Sequence, residues 1–352
     1  MSKTLKNLLQ FVLFLGLGLG ILVWIFRKQQ DAYTLYCQTK AIPKDQCSLW
    51  DKLWTDLVNV NWVFIALIFV AFVMSNISRA LRWQMVLKSL GYGTRFLNAL
   101  GAVFIAYFAN LGIPRSGEVF RAAVLSKYEK ISFDKSFGTI VSDRIIDMSS
   151  MIVLVFLSVV LQKQVFLQFY ENKMKQGIEG LVEKIWLLGI LAIGVLIAAI
   201  IFRKKWTQWT FVKSINEKLK GFYSGILAIG KLERPWLYLI HVALVWFWYF
   251  MMLFFAMKSF GPTSGIGMSE ALLIYVISAM GMLVPTPGGM GSYHYLLILA
   301  LSYYGIQEID AFSFANIAFF SAQFATNILL GVTALIYLPM INTNYEPNRS
   351  EY

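Results

Sequence analysis

The chain has 352 residues, 58% hydrophobic and 14% charged, with a net charge of +12 and a mean hydropathy of +0.62. Several runs are long enough to cross ~30 Å of hydrocarbon, which excludes an ordinary soluble globule. In a polytopic membrane protein an excess of lysine and arginine marks cytoplasmic loops rather than nucleic-acid binding, so residues 1–345 are read as one transmembrane domain and 346–352 as a cytoplasmic tail.

Leu8–Phe26 is nearly all apolar and follows Lys3 and Lys6. It is long for a signal-peptide core and no small-residue cleavage site follows, so it is expected to remain a first membrane helix with its N-terminus inside. The polar loop after it holds Cys37 and Cys47, the two cysteines of the sequence. A disulfide suits an oxidising compartment and free thiols a reducing one; the sequence leaves both open. Asp51–Val60 groups Leu53, Trp54, Leu57 and Val58 at helical spacing, as a helix lying in the membrane interface does. Asn61 to Lys88 is the next crossing. Arg79, Arg82 and Lys88 turn its end to the cytoplasm, and Arg79 and Arg82 are expected to snorkel to the inner boundary.

Leu97–Ala109 is too short to span. "NLGIPRSGEVFR" (Asn110–Arg121) then brings proline, glycine and charge to membrane depth. Arg95 precedes this region, and Lys127, Lys130 and Lys135 follow it. Basic flanks on both sides predict a segment that enters and leaves on one side, a re-entrant helical hairpin. Such irregular backbone is tolerated only when buried in protein or lining a wet cavity. Crossings follow at about 136–161 and 185–202. Arg203–Arg234 places apolar residues at three- and four-residue steps among many lysines, the pattern of a basic helix on the inner surface. Trp236–Met257 crosses outward, and Ser269–Leu301 holds two apolar runs around "VPTPGGMGSYH". Ala311–Met340 returns inward, which leaves the C-terminus cytoplasmic.

The two interruptions align. Pro114 and Arg121 stand 173 residues before Pro287 and His294. Three crossings between the breaks invert the second copy, so repeats are expected over about 60–161 and 235–340, their hairpin tips meeting near the midplane as in many transporters. Arg121 and His294 would then face each other across a cavity. Pro114, Gly117, Pro285, Pro287, Gly288, Gly289 and Gly291 are the expected turn residues, the glycines also permitting close packing.

Arg115, Glu118 and Arg121 lie on the first hairpin, and Asp143, Arg144 and Asp147 on the next helix. Each charge at membrane depth costs about 3 kcal/mol by insertion scales. Three positive and three negative charges can neutralise one another. Glu118 with Arg121, and Arg144 with Asp147, have i,i+3 spacing, while Asp143 and Asp147 share a face that suits an arginine from the hairpin. Two readings are compatible: a site where guanidinium groups bind a phosphate or carboxylate, and an ion-pair lock fixing the hairpin. No nucleophile elbow, phosphate loop or dinucleotide fingerprint is present. With His241 and His294 far apart, no metal or other cofactor is expected. The chain is read as a non-enzyme.

"LRWQMVLKSLGY", "NLGIPRSGEVFRAAVLSKYE", "VSDRIIDMSSM" and "VPTPGGMGSYH" resemble the lysylphosphatidylglycerol synthase transmembrane-region family, whose members are also called flippase-like domain proteins. The resemblance runs from about residue 5 to 340. It implies an all-α polytopic protein of the bacterial inner membrane that moves lipid between leaflets. Members with an added cytoplasmic synthase domain move aminoacylated phospholipids; with Tyr352 as the last residue, that domain is expected to be absent. Relatives often carry Glu where His294 stands. The expected substrate is a phosphate-bearing amphiphile (a phospholipid, aminoacyl-lipid or glycolipid), bound by Arg115, Glu118, Arg121, Asp143, Arg144, Asp147 and His294. Expected partners are anionic or phosphate-bearing membrane lipids and, in a homo-oligomer, further copies of the chain, with no nucleic acid. The competing reading is a non-transporting accessory factor of envelope lipid or glycolipid synthesis.

Overall fold

A computed structural model describes residues 47–113, 115–171, 227–282, 289 and 291–347, together with Arg27, Gln30, Thr34, Cys37 and Gln38. All regular structure among them is helical. The expected crossings at 8–26 and 185–202, the basic stretch up to residue 226 and the tail from 348 lie outside the described residues, as do Pro114, Pro285, Pro287 and Gly288.

Helix α1 (Leu49–Val58) begins at Ser48, whose Oγ accepts from Asp51 N at 3.2 Å, satisfying one of the donors a helix start leaves open. It turns Trp50 and Trp54 outward and buries Leu49. A disulfide joins Cys37 to Cys47, which settles the question the sequence left open. Cys37 packs with Leu49 and Phe312.

Among the described residues, four segments are long and apolar enough to cross a membrane. They are α2 (Trp62–Lys88), α5 (Phe133–Leu161), α7 (Pro235–Ser259) and a continuous run Glu308–Ile341. That run consists of α10 (Glu308–Phe319), a π-helical turn (Phe320–Ala325) and α11 (Thr326–Ile341). Ile152, Phe156 and Val160 of α5 face outward, the surface that hydrocarbon rather than water would cover. This is a polytopic membrane protein.

The described residues also form the shorter helices α3 (Phe96–Gly112), α4 (Gly117–Glu129), α8 (Met268–Gly281) and α9 (Ser292–Ser302). A small helix, α6 (Lys163–Phe169), follows α5. At 1.5 Å per residue, α3 is about 25 Å long and α9 about 16 Å, below the hydrocarbon thickness. Helices α3 and α4 pack side by side. Near the break, Gly117 N donates to Asn110 Oδ1 at 2.7 Å and Ser116 Oγ to Ala109 O at 3.2 Å. At the other end Glu129 accepts from Arg95 N at 2.9 Å and Asn98 Nδ2 at 2.6 Å. Contacts at both ends make the pair an antiparallel helical hairpin. Helices α8 and α9 also pack together, with Ser292 Oγ donating to Gly281 O at 2.6 Å.

The contacts sort the helix ends onto two faces. At one face Lys88 Nζ meets Glu233 at 2.7 Å, which joins the end of α2 to the start of α7. That hydrogen bond and the ammonium charge hold the Glu233 carboxyl below its ordinary pKa. On the same face Gln84 Nε2 bonds Thr94 Oγ1 at 3.3 Å, and Arg95 Nη1 bonds Ile341 O at 3.0 Å. At the opposite face Asn61 N donates to Ser259 O at 2.8 Å, joining the start of α2 to the end of α7. There Lys52 also meets Asp310 at 3.3 Å, beside the disulfide.

Candidate functional site

Helix α2 brings Arg79 and Arg82 inward, α4 brings Arg121, and α5 brings Asp143 and Asp147. All five are buried, Arg82 and Asp143 at 0% exposure. The groups alternate in sign. Arg121 Nη2 donates to Asp143 Oδ2 at 3.1 Å. Arg82 Nε lies 3.3 Å from Asp143 Oδ1, and Arg82 Nη1 donates to Asp147 Oδ1 at 2.9 Å. Arg79 Nη1 donates to Asp147 Oδ2, also at 2.9 Å. Such a chain keeps charged groups tolerable away from water, where an isolated ion would cost far more than its pair.

Trp83 backs this chain. Its ring lies 3.9 Å below the Arg121 guanidinium, a cation–π contact that strengthens as water is removed. Its indole N–H donates to Thr139 Oγ1 at 2.8 Å, tying α2 to α5. Tyr107 of the hairpin shares a hydrogen bond with Tyr249 of α7, and the Arg79 guanidinium stands 5.7 Å from the Tyr249 ring.

A small cleft opens beside the chain, lined by Arg79, Tyr107, Asn110, Glu118, Arg121 and Arg144 among others. Glu118 and Arg144 bond each other at its more exposed side. Four arginines (Arg79, Arg82, Arg121 and Arg144) therefore face three carboxylates (Glu118, Asp143 and Asp147), a surplus of one positive charge. The buried Nε atoms of Arg79 and Arg121 make no hydrogen bond. Glu118 Oε2 is likewise buried without a hydrogen-bond partner.

The structure brings together Glu118, Arg121, Asp143, Arg144 and Asp147, and Asp143 does receive an arginine from the hairpin. It corrects the partners. Glu118 pairs with Arg144 rather than Arg121, and Arg144 reaches Asp147 only at 4.0 Å. Arg79 and Arg82, expected to snorkel, are core members of the cluster. Arg79 precedes the helix end at Lys88 by nine residues, about 13 Å of rise, beyond easy reach of the boundary. Its i,i+3 spacing with Arg82, set against the i,i+4 spacing of Asp143 and Asp147, was the signal that could have found the pairing.

Arg115 stands exposed at the hairpin tip with φ 59° and does not line the cleft. Nor does His294, which rests against the rings of Phe319 (4.8 Å) and Tyr293 (5.8 Å). Aromatic packing, rather than Arg121, holds its imidazole. Gly289 and Gly291 take positive φ, 77° and 85°, as turn residues do. Gly117 begins α4 instead, and its role is contact: a Cβ there would fall 2.6 Å from Asn110 Nδ2.

Residues 48–331 match the family model described as the lysylphosphatidylglycerol synthase TM region. The chain belongs to this lysylphosphatidylglycerol synthase transmembrane-region family. Among curated relatives, the UPF0104 membrane protein MJ1595 of Methanocaldococcus jannaschii is 34% identical over 100 residues, which is 28% of this chain and 30% of that protein. The chain thus matches less than a third of that relative's length. No solved structure matches. The matched span of the lysylphosphatidylglycerol synthase transmembrane-region family includes both helical pairs and every charged residue of the cluster, so the cluster belongs to the family region of the chain.

Proposed function

We propose that this protein is a lipid flippase of the bacterial inner membrane, moving a phosphate-bearing amphiphile between leaflets without chemical conversion. The observation that carries the reading is the surplus guanidinium charge beside a cleft at a helical break. Arginine binds phosphate oxygens in a planar, bidentate manner. Buried charge in a membrane protein marks a substrate path more often than a structural accident.

The fold supports the reading at a second level. The order long, short, short, long occurs twice: α2, α3, α4, α5 and then α7, α8, α9 and the run Glu308–Ile341 that α10 begins. Their starts pair as Trp62 with Pro235, Phe96 with Met268, Gly117 with Ser292 and Phe133 with Glu308, near the 173-residue offset of the sequence. We take these as inverted repeats with two re-entrant hairpins, a plan that places a site where broken helices meet. The face with Lys88, Arg95, Lys130 and Lys231 is assigned to the cytoplasm by its basic residues, and the disulfide face to the oxidising side.

Reconstitution tests the reading. Purified protein in liposomes should carry fluorescent phosphatidylglycerol between leaflets without any added protein, as read by quenching of the outer label. An accessory factor would leave the label where protein-free liposomes leave it. Lipid held through purification, identified by native mass spectrometry, should bear phosphate.

A further inference from the structure

We propose that Glu118 is a built-in competitor of the substrate phosphate: in the resting protein its carboxylate occupies Arg144, and an incoming phosphodiester takes that guanidinium from it. The inference rests on the flippase reading above and concerns the same cleft.

Among the cluster's acids, Glu118 stands apart. Asp143 and Asp147 each touch two buried arginines and have side chains 1% and 9% exposed. Glu118 touches Arg144, and these two side chains are 23% and 48% exposed. The inner part of the cluster is thus locked, while the outer pair borders water. Both outer partners line the cleft together with Arg79 and Arg121, whose Nε atoms have no acceptor. An oxyanion in the cleft would meet the guanidiniums of Arg79 and Arg121, and its third guanidinium is the one Glu118 holds.

Position adds to this. Glu118 lies in the first turn of α4, where the helix dipole favours negative charge. Gly117 N–H is already taken by Asn110 Oδ1, so the carboxylate can leave Arg144 without uncapping that group. Charge selects the ligand class. One surplus positive charge is neutralised by a monoanionic phosphodiester with all three carboxylates still ionised. Lipid headgroups and small soluble phosphates share the oxygens that guanidinium recognises, so both need testing.

The experiment uses the full chain in maltoside micelles, which contain no phosphate, with two probes: short-chain phosphatidylglycerol and inorganic phosphate. Affinity is read by calorimetry for the wild type, Glu118→Gln, Arg144→Gln and the double variant. Removing the competitor should tighten binding about threefold, the scale of one partly exposed ion pair. Arg144→Gln should weaken binding, and Glu118→Gln should bring no gain in its background. Tightening for phosphatidylglycerol alone assigns the site to lipid; tightening for both probes assigns it to the phosphate group itself. Equal or weaker binding by Glu118→Gln overturns the competition while leaving the phosphate site intact. A wild type that binds neither probe removes the phosphate site, and the competition with it.

Discussion

Arg82 is wholly buried and shared between Asp143 and Asp147. Asp147→Ala leaves it, and Arg79, short of a counter-charge in a place water does not reach. Loss of one partner from a buried pair costs about 3–5 kcal/mol. Glu118→Ala removes an acid at the exposed side and should cost at most about 1 kcal/mol. Thermal unfolding of the solubilised protein should therefore rank Asp147→Ala far below Glu118→Ala, and equal melting temperatures would deny the inner chain its structural weight. The acidic half of this cluster was legible in the sequence, because Asp143 and Asp147 stand in an otherwise apolar helix. The basic half was not. An arginine near the end of a long apolar helix has two outcomes, the interface or a partner on another helix. The matched spacing of Arg79 and Arg82 with Asp143 and Asp147 hints at the second outcome, and the packing of α2 against α5 decides it.

The hairpin of α3 and α4 depends on how closely its two helices approach. Gly117 sits where a side chain would enter Asn110, whereas Gly112 has open space at the same position. Gly117→Val should destabilise by about 1–3 kcal/mol through overpacking, and Gly112→Ala should be nearly neutral; melting of the two variants checks the difference. The hairpin's base has a clasp of its own. Asn98 and Asn342 exchange amide hydrogen bonds at 2.9 and 2.7 Å, and Tyr345 donates to Glu129 at 3.0 Å. Asn342→Ala breaks the amide exchange and should cost about 1–2 kcal/mol, seen as earlier proteolysis of the C-terminal end of α11. The short helices and the break were readable from apolar length and from the Pro/Gly content of "IPRSGEVFR". The clasp was not, because Glu129 meets Asn98 and Tyr345 through the fold, with no local pattern connecting them.

At the scale of the molecule, helix ends sort onto two faces, and the Cys37–Cys47 disulfide lies on the face opposite Lys88 and Arg95. The sequence contains just these two cysteines, so the native chain reports its own orientation. A membrane-impermeant maleimide should label intact cells only after an external reductant is added. Labelling confined to inverted vesicles would reverse the assigned topology. The flanking charges suggest this orientation in the sequence, as the offset of 173 residues suggests a duplicated order of helices; the labelling tests the first. The meeting of Arg121 with His294 did not follow from that offset, since the ring contacts of His294 are set by Phe319 and Tyr293 and not by its place in a repeat.

The central claim is that the arginine cleft moves lipid by its phosphate. Leaflet exchange of two fluorescent lipids, phosphatidylglycerol and a phosphate-free glycosylceramide, in proteoliposomes of the wild type and Arg121→Gln tests it most directly. Arg121 supplies a charge-assisted contact worth about 1.5–3 kcal/mol, so its loss should slow phosphatidylglycerol exchange by at least about tenfold, with glycosylceramide exchange at the protein-free rate throughout. Equal exchange of both lipids by the wild type, or wild-type exchange of phosphatidylglycerol by a folded Arg121→Gln protein, would contradict the account.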